Sequence, residues 1–443
     1  MTSIKQTRLS RTLMALSLPW MAQSAMAGYG FEAGDLKGEL GLAAGASYVN
    51  ARNVNFGSGR IDLRSTENGG PHVTWQEAFV KPSLTLNYML RPDFDLLAGA
   101  SVVGAKTFGD GDAGGFTRSS DGRVATEELY AGVRAGNWKF TAGRQNFMVG
   151  TGFIVMDGHL DIFKGGAYFL SPRSAFKDSA VLAWDGGALK TQAFSLKSDE
   201  NFGNFRLTGG NLDFDFDGHV TLGAMAFKVN APSGGRVQRD GMEVYNLRAL
   251  QGKLPQIPAL TFNAEYAIQR GSGGGVTYDA SAWYGQVDYA FDDLPLKPVL
   301  SFRRARFSGD GDPADNKRQD WDSLSKGFTG WSTWLVGDIV GNYLLFNSNE
   351  RVQQYSLKMQ LSETLTLGGI YYQFWLDKPS YNGIPVSDRR FADEFAIYMD
   401  WTPTPNWYVS VSLNRTKPKA AARQAFGMNR DFTTLETYFN YRF

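Results

Sequence analysis

After residue 35 the chain alternates apolar and polar side chains with a period of two. This is the pattern of strands that show one face to an apolar medium and the other to water. Eighteen such segments follow one another: Leu36–Val49, Thr74–Leu90, Phe94–Phe108, Arg123–Ala135, Trp138–Phe147, Ala175–Asp185, Ala188–Lys197, Phe205–Phe216, His219–Val229, Met242–Gln251, Ala259–Arg270, Asp279–Phe291, Leu296–Phe307, Arg351–Leu361, Leu365–Asp377, Phe391–Trp401, Trp407–Arg415 and Asp431–Phe443. No apolar run after residue 27 is long enough for a membrane-spanning helix.

The connections sort by length. Even-numbered segments turn back at once, at Arg91–Asp93, Gly136-Asn137, Gly186-Gly187, Asp217-Gly218, Gly252–Pro258, Asp292–Pro295, Ser362–Thr364 and Thr402–Asn406. Odd-numbered segments lead mostly into long polar stretches, including Asn50–Val73, Gly109–Gly122, Met148–Ser174, Ser308–Glu350, Lys378–Arg390 and Thr416–Arg430. A water-soluble sandwich has no reason to segregate its loops this way. A transmembrane barrel with both termini in the periplasm does. The expected fold is therefore all-β: a transmembrane antiparallel β-barrel of about eighteen strands, wide enough for an aqueous lumen, with short periplasmic turns and long extracellular loops. One stretch breaks the parity. Trp331–Phe346 is apolar enough for a strand or a helix, and is read as part of a long loop folded over or into the pore.

The last segment carries the alternation to the final residue. Leu435, Thr437, Phe439, Tyr441 and Phe443 fall on one side, Glu436, Tyr438, Asn440 and Arg442 on the other. An aromatic edge strand at a chain end is an aggregation hazard in water. In a closed barrel it pairs with the first strand and meets lipid. Phe439, Tyr441 and Phe443 also resemble the C-terminal signal that bacterial outer-membrane proteins present to their assembly machinery.

The other terminus reads as an export leader. Lys5, Arg8 and Arg11 precede an apolar run, Leu13–Ala22, and Ala25-Met26-Ala27 supplies the small-x-small site, so cleavage before Gly28 is expected. Residues 28–443 then form a single barrel domain. Loss of the leader turns 45 basic against 44 acidic residues into 42 against 44, because it takes three basic residues and no acidic one. That balance gives no support to a nucleic-acid partner, which would leave a basic excess. With no cysteine, the chain has neither disulfides nor a thiolate metal site.

Charges on the strands belong in the lumen, since a charge at the bilayer midplane costs several kcal/mol. Glu128, Arg134, Arg144, Arg248, Glu265, Asp288, Arg303, Arg304, Arg306, Lys358, Glu394 and Asp400 are the candidate pore-lining residues, with Arg442 on the last strand. Alternation places Tyr355, Leu357, Phe395, Ile397, Ile370, Tyr372, Phe374 and Leu376 against lipid, and Tyr371 and Gln373 inside. Trp138, Trp401 and Trp407 suit interfacial girdles. Arg303-Arg304-Ala305-Arg306 gathers three cations at one strand's extracellular end. They either draw anionic solutes into the pore or bind lipopolysaccharide phosphates.

Catalytic material is scarce. Of three histidines, His159, in Asp157-Gly-His159-Leu-Asp161, could make an acid-base pair in an external loop, and it reads as an ordinary loop histidine. Asp213-Phe-Asp-Phe-Asp217-Gly218 imitates the start of an EF-hand but has Ala224 where the closing Glu belongs. Gly109-Asp-Gly-Asp112 and Gly309-Asp-Gly-Asp312 read as polar loop tips with room for Ca²⁺. No catalytic residue, metal ligand set or cofactor is expected. The alternative to a channel is a barrel that works through its outer loops, as an adhesin or surface enzyme.

Thr126-Glu-Glu-Leu-Tyr-Ala-Gly-Val-Arg134 followed by Trp138-Lys-Phe-Thr-Ala-Gly-Arg-Gln145 resembles the strand pair typical of alginate-export-type outer-membrane porins. Tyr371-Tyr-Gln-Phe374, Ser387-Asp388 with Glu394, and the terminal Glu436–Phe443 agree with it. The resemblance implies a monomeric, solute-selective barrel embedded among outer-membrane lipid and lipopolysaccharide, with a small molecule or oligosaccharide as cargo. Alginate exporters pass a polyuronate through a strongly positive constriction. Here Glu128, Glu265, Asp288, Glu394 and Asp400 counter the arginines, so the resemblance carries over the channel and not its substrate.

Overall fold

The computed structural model describes residues 28–443 apart from 66, 68, 233–236, 313, 326–339 and 342–343. The expected leader lies outside the described residues, as does most of Trp331–Phe346.

Eighteen antiparallel strands close into one barrel: β1 (Leu36–Arg52), β2 (His72–Arg91), β3 (Phe94–Gly109), β4 (Gly122–Ala135), β5 (Trp138–Gln145), β6 (Phe176–Asp185), β7 (Leu189–Lys197), β8 (Arg206–Phe216), β9 (Val220–Asn230), β10 (Met242–Leu254), β11 (Ile257–Gly273), β12 (Ala280–Ala290), β13 (Val299–Phe307), β14 (Glu350–Gln360), β15 (Leu365–Leu376), β16 (Arg390–Thr404), β17 (Trp407–Pro418) and β18 (Phe432–Arg442). Each matches one of the alternating segments. Neighbours in the chain are neighbours in the ring, and β18 closes on β1 with Ala43 opposite Arg442 and Arg52 opposite Thr433. The last residue completes the seam: Phe443 N donates to the Leu42 carbonyl at 2.8 Å and Leu42 N to the Phe443 carbonyl at 2.7 Å. Closure is what lets a sheet sit in lipid, because it leaves no backbone group unpaired.

A short strand, Tyr29–Ala33, is not evident in the alternation. Because β18 ends level with Ala43, the lower edge of β1 would lack partners. Tyr29–Ala33 folds back onto it, Tyr29 opposite Leu40 and Ala33 opposite Leu36. At the β8–β9 turn Asp217 and Gly218 both have positive φ, 50° and 67°, as a type I′ hairpin requires.

On the outer surface cross-strand rows are apolar. Leu300, Leu357, Gly369 and Ile397 form one, and Phe302, Tyr355, Tyr371 and Phe395 the row above it. Leu300, Phe395 and Ile397 are 48%, 49% and 47% exposed, which in an aqueous protein would be a liability and in a bilayer is the lipid contact. Trp138, Trp401 and Trp407 are exposed at the periplasmic ends.

On β15 the expected faces are exchanged. Ile370, Tyr372, Phe374 and Leu376 are buried and inward, whereas Tyr371 stands outside between Tyr355 and Phe395. The alternation is sound but its polarity inverts, because loops fill the extracellular end of the barrel and make the inward face apolar there. Val340, Leu344 and Leu345 belong to the same buried core as Phe374 and Leu376, and the Tyr381 hydroxyl holds the Leu344 carbonyl at 3.2 Å.

Candidate functional site

The connection between β5 and β6, residues 146–175, does not stay outside. Gly150 and Gly152, at φ 57° and 77°, turn the chain inward. Gly150 then lies against the Arg248 side chain on β10. Glu265 on β11 accepts from Thr151 Oγ1 at 2.5 Å and from the Tyr284 hydroxyl at 2.9 Å. Phe153 packs on Tyr284, Phe307 and Trp321. The far part of the same loop is tied to the other side. Glu77 on β2 accepts from Phe169 N at 3.2 Å and Leu170 N at 2.8 Å, and Trp75 meets Phe169 edge to face. Thr107 Oγ1 accepts from Ala167 N, and Glu127 accepts from Ser174 N and Ala175 N. In a ring of eighteen, β2 and β11 are diametrically opposed. The loop therefore crosses the lumen.

Its own core is an ion pair. Asp161 and Arg173 are fully buried, joined at 2.5 Å, and Arg173 also reaches the Arg123 carbonyl at 2.9 Å. Beside them burial pushes the His159 imidazole down to about 3, so it is neutral at ordinary pH. A second loop lies over the first, with Ser325 O accepting from Met156 N and Asp157 N. Because Glu77 secures one end through two backbone amides, Glu77→Ala is expected to weaken that attachment by about 1–3 kcal/mol. Faster hydrogen exchange at residues 167–171 in the folded barrel is the measurement.

The sequence candidates separate into groups. Glu128 points inward and accepts from Ser101 Oγ at 3.2 Å. Arg134 lies on the lumen side near the periplasm, paired with Asp95 at 3.3 Å. Arg144 is held at its strand's extracellular end by the Glu127 carbonyl and by Asp199. Arg248 is buried on Asp213 at 2.5 Å. Glu265 anchors the loop. Asp288 accepts from Gln286 Nε2 at 2.7 Å, and Asp400 from the Tyr408 hydroxyl at 2.8 Å and Ser410 Oγ at 2.6 Å. Glu394 is buried on the inner wall, opposite Tyr372. Arg303 points inward, donates to Gln286 Oε1, and sits 6.0 Å from the Tyr284 ring centroid. Lys358 is inward on β14. Neither Arg303 nor Lys358 forms an ion pair with a described residue. Phe439 and Phe443 are exposed on the outer face, and Tyr441 packs on Trp407 at 5.0 Å.

Arg304 and Arg306 do not line the pore. The period of two that sends Arg303 inward sends both of them outward, in register with Gln353 and Arg351 on β14. Treating the three arginines as one cluster ignored that alternation.

Glu77, Glu127, Thr151 and Tyr284 were not among the candidates. Glu77 shares the inward parity of Trp75 and Phe79, a signal the sequence does hold. Glu127 was hidden by a bulge opposite Ser101 and Val102, which turns two successive glutamates inward. At the loop tips the aspartates cap turns: Asp112 accepts from Gly114 N and Thr117 Oγ1, and Asp310 from Asp312 N. Among the described residues no group of three or more histidine or acidic side chains is placed to hold a metal.

Residues 235–394 match the family model described as alginate export. The chain is similar to solved structures of Pseudomonas aeruginosa OccK5 (OpdH), with TM-score 0.59 and 14% identity over 91% of this chain and 97% of that one. It is similar to P. aeruginosa OpdK solved with vanillate, with TM-score 0.60 and 12% identity over 92% and 98%. Acinetobacter baumannii OccAB2 gives TM-score 0.57 and 12% identity over 92% and 98%. At these identities the likeness is one of fold. No curated protein matches. A closed seam, a lipid-facing exterior and a loop across the lumen make the chain an eighteen-stranded bacterial outer-membrane β-barrel, with the alginate-export signature carried on residues 235–394.

Proposed function

We propose that the chain, freed of residues 1–27, is a monomeric passive channel selective for small polar and anionic solutes. The observation that carries this reading is the imbalance of satisfaction in the lumen. Inward carboxylates are met by hydroxyls, amides or a paired arginine, as at Glu265, Asp288, Asp400 and Asp213. Arg303 and Lys358 have no ion-pair partner among the described residues. Two cations with no such partner, placed in the lumen beside a crossing loop, attract anions and steer them inward. The likeness to OpdK, whose structure holds the aromatic carboxylate vanillate, supports small carboxylates as cargo. The family match on residues 235–394 favours a polyuronate such as alginate as the second reading.

Reversal potentials across a salt gradient test the charge preference. Wild-type channels are expected to favour anions, and the double variant Arg303→Gln, Lys358→Gln to lose most of that preference at similar conductance. Block by monomeric carboxylates alone supports the first cargo, and block by uronate oligomers the second. A cation-selective wild type would reject both.

A further inference from the structure

The outward arginines that the pore does not use mark a site of their own. At the extracellular end of β13 and β14, Arg306 stands directly opposite Arg351. Like charges in that position repel. They are held by one fully buried carboxylate, Asp377, at 2.7 Å from each. One row below, Arg304 is exposed in register with Gln353 and forms no ion pair with a described residue. Two guanidiniums thus share one carboxylate, with a third beside them that forms no ion pair with a described residue, on a surface that faces out of the barrel. Beside Arg304 across the β12–β13 pair is Gly285, which leaves open space where a side chain would stand.

Directly beneath is a cleft of about 730 Å³ on the same outer surface, lined by Phe302, Leu357, Tyr371, Gly369, Phe395 and Ile397 among others. Counted along their own strands, Arg306 stands seven residues above Val299 and Arg351 nine above Gln360, the periplasmic ends of β13 and β14. At ~3.3 Å per residue and a tilt near 40° this is roughly 20 Å of height, so the arginines stand close to the outer edge of the apolar band. Guanidiniums bind phosphate oxygens through paired, charge-assisted hydrogen bonds.

We infer that this notch and cleft form a binding site for a phosphorylated, multiply acylated lipid of the outer leaflet, the lipid A part of lipopolysaccharide. Its phosphate sits on Arg304 beside Gly285, with Arg306 and Arg351 above, and its acyl chains lie in the cleft. The height of the arginines and the apolar cleft below them fit an amphiphile and not a free anion. The site is independent of what passes through the lumen.

The test titrates refolded full-length protein in detergent with bisphosphorylated lipid A, dephosphorylated lipid A and phosphatidylglycerol, and reads bound lipid by native mass spectrometry. The wild type is expected to prefer bisphosphorylated lipid A over either alternative by about tenfold or more, the scale of one good charge-assisted contact. Arg304→Glu is expected to abolish that preference. Gly285→Phe, which keeps every charge but fills the notch, is expected to do the same. Folding of each variant is verified by heat-modifiable migration, and if one fails to fold the other decides. Equal binding of the two lipid A forms, binding of phosphatidylglycerol as tight as lipid A, or an unchanged preference in a folded variant would each overturn the assignment.

Discussion

Asp161→Ala is expected to release the lumen-crossing loop while leaving the barrel intact. Removing the carboxylate strands the Arg173 guanidinium, which has no side-chain exposure and was paired at 2.5 Å. Breaking one partner out of a fully buried pair costs about 3–5 kcal/mol. None of that energy is stored in the strand ladder, whose backbone bonds close without the loop. The cost therefore falls on the seat of residues 146–175, where the remaining ties are single bonds such as Thr151 to Glu265 and Leu170 to Glu77. Two observables should move together. Limited proteolysis should cut between residues 150 and 171 in the variant and spare the wild type, and single-channel conductance should rise and become noisier. Asp161→Ala channels that match the wild type in both would show that the ion pair does not hold the loop.

Deleting residues 439–443 is expected to abolish the folded barrel altogether. The deletion removes the β18 partners of Ala43 to Ala46 on one side and of Trp407 to Val409 on the other, together with the two seam bonds between Phe443 and Leu42. What remains is an unpaired lower edge within the hydrocarbon region, and each unsatisfied backbone group there costs several kcal/mol. The same residues, Phe439, Tyr441 and Phe443, are proposed as the assembly signal, so the defect should appear in cells as loss from the outer membrane and in vitro as loss of the heat-modifiable form. The single change Phe443→Ala keeps the backbone bonds. It separates the two effects: normal refolding in detergent with poor assembly in cells is the expected outcome.

The barrel was legible in the sequence because its physics is local. Period two, hairpin residues and the sorting of loop lengths each follow from one strand and its neighbour, and all eighteen strands appear where the alternation places them. The outer faces of β14, β16 and β18 were legible for the same reason. β15 was not. Its polarity depends on what fills the lumen, and the apolar inner row Ile370, Tyr372, Phe374 and Leu376 looks like a lipid face until a loop is packed on it. Arg303 could be read as a lumen residue, but Arg304 and Arg306 were grouped with it by proximity in sequence when alternation separates them. The constriction was the least legible part. Nothing local in Met148–Ser174 says that Thr151 will meet Glu265 and Leu170 will meet Glu77, because those contacts join residues 114 and 93 positions apart.

Single-channel recording of the refolded wild-type protein in a planar bilayer tests most directly whether this barrel is a channel narrowed by its own loop. Discrete, stable conductance steps are expected, reduced by a permeant small carboxylate and enlarged when residues 150–171 are replaced by a short glycine linker. A barrel that migrates as folded yet stays electrically silent would contradict the reading, as would steps of the same size with and without the loop.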